Sequence, residues 1–181
     1  MTILVLGLAL FVGIHCVPLL PALTARWQSR LGENRYKLGF TLVSVIGIGL
    51  TGWGYALAPF EHLYPPFDWG RTVARAIMPF ALTLFIAANF PCHIRRVTRH
   101  PMMIGTLLWA SVHLLANGDL ASTILFGGFA AWSILAIVGS NKPAPLFTAS
   151  VKFDFIAIGI GVVAYALLGY FHAALFGVAV L

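Results

Sequence analysis

The sequence predicts an all-α protein, a polytopic transmembrane helical bundle of about six spans. Three observations predict it. The 181 residues are 60% apolar and only 9% charged, against about 25% charged in soluble domains. Apolar runs of span-like length alternate with short polar connections along the whole chain. A backbone without water must satisfy its own hydrogen bonds, which such runs do as helices. No length remains for a soluble domain, so 1–181 reads as a single transmembrane domain.

The first run covers residues 2–22. No basic residue precedes it, so it reads as a retained span rather than a cleaved leader. The second run, 38–58, carries Gly47, Gly49, Gly52 and Gly54. Small residues let helices approach closely, or leave room for a flat cofactor or apolar substrate. The third run is 73–90. The fourth, 102–116, is short against the roughly 20 residues of a span. Arg99-His100-Pro101 opens it and Asn117-Gly118-Asp119 closes it. The fifth run is 120–139, and the sixth, 153–180, is long.

The connections carry the orientation. The first holds Arg26, Arg30, Arg35 and Lys37 against Glu33, the third Arg95, Arg96 and Arg99, the fifth Lys142 and Lys152. The second holds Glu61, Asp68 and Arg71, and the fourth only Asp119. Positive charge on alternate connections puts those connections in the cytoplasm and both termini outside. The net charge of +6 is thereby spent on orienting helices and meeting lipid headgroups, which excludes a nucleic-acid role. Cys16 and Cys92 form no CxxC pair, so neither a disulfide framework nor a cysteine metal knuckle is expected. No phosphate loop, HExxH or GxSxG elbow occurs.

Two histidines lie inside apolar runs, His15 in the first and His113 in the fourth. An ionisable side chain within a membrane is costly and faces a partner, a cavity or a cofactor. Three readings of His113 stand together: a neutral core imidazole bonded to a neighbouring helix, a metal or haem ligand, and a proton relay. Asn117 is one turn away. It either closes the turn or orients the free nitrogen of a ligating ring. One iron held by both imidazoles requires them at one depth. On a rise of about 1.5 Å per residue, the oppositely running helices leave them roughly 10 Å apart in height, a gap that tilt of about 20° narrows. His172 reads as interfacial, His62 and His93 as solvated loop residues, and His100 as a helix-start or headgroup residue.

At Arg99-His100-Pro101, Leu108-Trp109, His113 and Asn117-Gly118-Asp119-Leu120 the chain resembles the NnrU family of bacterial membrane proteins. Residues 11–21 (FVGIHCVPLLP), Leu31-Gly32-Glu33 and the ending from His172 to Val178 carry the same resemblance. That family is associated with denitrification, alongside nitrite and nitric oxide reductases. The haem-binding zeta-carotene isomerases are similar to it. By this resemblance His15 and His113 are the axial ligands of haem b. Ala110 stands where those isomerases have a redox-active cysteine, which argues against a cysteine-switched mechanism.

The resemblance implies an inner-membrane haem b protein linked to nitrite and nitric oxide respiration, in a redox, sensing or accessory role. His15, His113, Trp109 and Asn117 would form its cofactor site, with Trp53 and the glycines of the second run lining it. Two other functions remain open. One is a haem-dependent cis–trans isomerase of a carotenoid or other polyene lipid. The other is a cofactor-free membrane assembly protein that partners denitrification enzymes.

Overall fold

The structure is a computed structural model that describes residues 1–140 and 146–180. Among the described residues it is helical without strands, as the sequence predicts. The helices are α1 (Thr2–Cys16), α2 (Pro21–Leu31), α3 (Glu33–Ala56), α4 (Gly70–Ala87), α5 (His93–Thr98), α6 (Pro101–Ala116), α7 (Leu120–Gly139) and α8 (Val151–Phe176). Lys142, counted above in the fifth connection, lies outside the described residues.

The first apolar run is not one helix to residue 22. Val17–Leu19 tightens into a 3-10 turn and Pro21 opens α2. A proline tolerates the first turn of a helix but cannot continue one, because it lacks an N–H. Both α2 and α5 fall in stretches read above as connections. Their arginines hide the helical period, and α2 turns Arg26, Ser29 and Arg30 outward while Thr24, Trp27 and Gln28 are half-buried.

Among the described residues, five segments are long and apolar enough to cross a membrane: Thr2–Leu19, α3, α4, α7 and α8. The 16 residues of α6 are apolar but shorter. Large apolar side chains also cover the outside. Ile46, Phe80, Val138 and Val163 are all exposed. Helices apolar on every face suit a lipid bilayer, so this is a multi-pass membrane protein.

Each helix leans on the next in the spatial order α3, α1, α7, α6, α4, α8. Thus α7 is central, with α1 on one flank and α6 on the other. Glycine sets how close these helices come. A Cβ on Gly54 would run into the Leu4 backbone, and one on Gly47 into Phe11. Gly7 meets Thr51 in the same seam, and Gly161 meets Thr83 between α8 and α4. The glycines of the second run are therefore packing residues at Gly47 and Gly54, while Gly49 and Gly52 meet nothing.

The bundle has two distinct ends. At one, the segment between α3 and α4 folds over the α6–α7 turn. Leu63 and Tyr64 N–H donate to Gly118 O, Leu120 N–H to Glu61 O, and Tyr64 Oη to Leu114 O at 2.6 Å. A side chain on Gly118 would strike Tyr64 O, so only glycine fits there. At the other end lie α2, α5 and the start of α8. There Asp154 accepts hydrogen bonds from His93 Nδ1 at 2.7 Å and from Ile94 N–H at 3.0 Å. His93 is therefore not a solvated loop residue: it heads α5 and ties it to α8.

Candidate functional site

The central helix presents Phe126, Phe129 and Trp132, three residues apart and so along one face. These three are buried with Leu8, Ala110 and Ala136. On one flank α1 brings Phe11 and, one turn on, His15. On the other α6 brings Trp109 and, one turn on, His113.

The two imidazoles are held in the same way. His15 Nδ1 bonds to Phe11 O and His113 Nδ1 bonds to Trp109 O, each at 2.7 Å. A carbonyl oxygen only accepts, so Nδ1 carries the proton in both rings. In the neutral ring Nε2 is then left with its lone pair, the form that ligates a metal. Such a carbonyl also fixes ring orientation and raises the basicity of Nε2.

Aromatic rings fill the space between them. His15 sits 4.1 Å from Phe11 between ring centroids, with Phe40 at 5.0 Å and Trp132 at 5.4 Å. His113 stacks on Phe126 at 4.6 Å and lies 5.4 Å from Trp109. Phe129 joins the two halves, 5.5 Å from Phe11 and 5.5 Å from Trp109. A continuous series of rings, His15–Phe11–Phe129–Trp109–His113, crosses the central helix.

The heights differ as the straight-helix reading expects. His15 rests against Trp132 and His113 against Phe126, six residues apart, or about 9 Å along the axis. Asn117 Nδ2 reaches the backbone carbonyl of His113 at 3.0 Å and closes the last turn of α6. The carbonyl of Trp109 orients the ring. Trp109 belongs to the site, whereas Trp53 is 57% exposed on the surface of α3. His172 bonds through Nδ1 to Val178 O at 2.6 Å and is half-buried.

Trp132 adds an unexplained donor. Its Nε1 is buried and has no hydrogen-bond partner among the described residues. A buried unpaired N–H costs about 1–3 kcal/mol, and it sits in the ring that borders His15. Sequence reasoning did not single out Phe126, Phe129 and Trp132, although their three-residue spacing in the fifth run is visible.

The donor chemistry fits a haem iron: imidazoles whose Nδ1 atoms donate to carbonyls and whose Nε2 atoms have no hydrogen-bond partner among the described residues, in an apolar, aromatic shell. The spacing, with Phe129 between the halves, does not fit one iron shared by both rings in this packing. Among the described residues no group of three or more His, Cys, Asp or Glu could hold a metal ion. A macrocycle that brings its own in-plane nitrogens needs only one or two protein ligands.

The family model described as NnrU protein matches residues 3–180, nearly the whole chain. No curated protein and no solved structure matches it.

Proposed function

We propose that this chain, which belongs to the NnrU family, binds haem b at the seam of α1, α7 and α6. In this reading His15 and His113 are the imidazoles that would hold the iron, both of them only after a repacking that brings them to one height, with Trp109 and Asn117 beside them. The observation that carries it is the duplicated imidazole arrangement, with both Nδ1 atoms donating to carbonyls and both Nε2 atoms left with lone pairs. The unpaired indole of Trp132 supports it, since a bound polar group would give that N–H an acceptor.

The bound haem would supply one-electron chemistry. The protein's own contribution is to orient the two imidazoles, hold their protons on Nδ1 and keep water out with the aromatic face of α7. Sharing one iron requires closing the height difference of about 9 Å along α7.

The association of the family with denitrification supports a redox, sensing or accessory role in nitrite and nitric oxide respiration. The alternating basic connections support six spans in the bacterial cytoplasmic membrane, with both termini outside. In that reading α6, at about 24 Å, crosses with local thinning of the bilayer.

The test is the pyridine haemochrome assay on protein purified from haem-replete cells. About one haem b per chain is expected from a single bis-imidazole or mono-imidazole site. Protein without haem would instead favour the cofactor-free assembly role.

A further inference from the structure

A cavity of about 460 Å³ opens between the turn after α1, helix α2 and the start of α3. It lies at the arginine-bearing end of the bundle. Phe40 and the ring of Tyr36 give it apolar walls, and Gln28, Lys37 and Thr41 give it polar ones. Phe40 also borders His15, at 5.0 Å between centroids.

Thr24 Oγ1 donates to Val17 O at 2.9 Å, but three other polar side chains of this cavity are unspent. Tyr36 is 8% exposed, yet among the described residues its hydroxyl makes no hydrogen bond. Neither the Gln28 amide side chain nor the Thr41 hydroxyl makes one among those residues. Lys37 Nζ meets Glu33 at 2.6 Å, but both side chains are exposed, and such a pair is weak and easily exchanged. The surrounding segment carries four basic residues, Arg26, Arg30, Arg35 and Lys37, against Glu33. Next to Thr41 and one turn beyond it, the exposed Leu42 and Val45 continue the surface as an apolar stripe.

We infer that this cavity binds the headgroup of an anionic phospholipid. The phosphate oxygens accept from the Lys37 ammonium, the Gln28 amide and the Tyr36 and Thr41 hydroxyls. The acyl chains run along the apolar stripe of α3. Positive charge around the cavity selects an anionic lipid over a zwitterionic one. The apolar walls select a lipid over free phosphate. The inference does not depend on haem, since none of the four side chains that meet the phosphate belongs to the histidine site.

Native mass spectrometry of the full-length protein tests it. The delipidated protein in detergent is incubated with dioleoylphosphatidylglycerol or dioleoylphosphatidylcholine. The expected result is one retained phosphatidylglycerol per chain and little phosphatidylcholine. Lys37→Gln and Tyr36→Phe should each weaken retention roughly fivefold, the effect of about one lost hydrogen bond. Ser29→Ala, on the outward face of α2, should leave it unchanged. Tyr36→Phe keeps the ring and its packing, so its result stands even if Lys37→Gln misfolds. Equal retention of the two lipids, or wild-type retention in Tyr36→Phe, overturns the inference. Displacement of the lipid by millimolar inorganic phosphate overturns it too, in favour of a phosphate site.

Discussion

His15 and His113 stand on opposite flanks of α7, each with Nδ1 at 2.7 Å from the carbonyl of the aromatic residue one turn before it. The match is mechanical rather than decorative. In each helix an aromatic side chain packs on α7, and its own carbonyl holds the following imidazole. Position and tautomer are therefore set together.

Phe129 is the ring that joins the two halves. Phe129→Ala should destabilise the bundle by about 3–5 kcal/mol, the range for truncating a buried Phe. The check is thermal unfolding of detergent-solubilised protein, followed by loss of the monodisperse peak in size exclusion.

Trp132→Phe should behave differently. It removes some buried area, but it also removes an unpaired N–H. These effects oppose one another, so without cofactor its stability should stay within about 1 kcal/mol of wild type. The same thermal assay reads it, and a loss as large as that of Phe129→Ala would show that the indole N–H is paired.

The seam of α1 and α3 depends on missing side chains. Gly54→Leu drives atoms into the backbone at Leu4 and should cost about 1–3 kcal/mol or more. Gly52→Leu, where a Cβ meets nothing within 4 Å, should be near neutral. Comparing the two melting temperatures separates helix packing from general helix propensity.

Asp154 ties α8 to α5 by two hydrogen bonds. Asp154→Asn keeps the shape but loses the charge, and should cost about 1–3 kcal/mol. Amide hydrogen exchange across residues 93–98 should accelerate while exchange in α7 does not.

Much of the fold was legible in the sequence, because a bilayer restricts the chain to apolar helices. The run 120–139 coincides with α7, and 102–116 with α6 almost residue for residue. The break after Cys16 was harder. Residues 17–22 are as apolar as a span, and only Pro18 and Pro21 mark the turn. The helices α2 and α5 were read as connections because charge there obscured the period. For the site, His15 and His113 stood out as ionisable groups in apolar runs, and their difference in height followed from helix rise alone. The Nδ1 bonds to the carbonyls of Phe11 and Trp109 depend on side-chain rotamers, which no sequence pattern states. Nor did the sequence place Asn117: its amide closes the helix end instead of touching the ring.

The visible absorption spectrum of the purified protein, with His15→Ala and His113→Ala beside it, tests the central claim most directly. The account predicts a Soret band in the wild type that shifts or disappears when an axial imidazole is removed. A wild type without a Soret band, or a band unchanged in both variants, contradicts it.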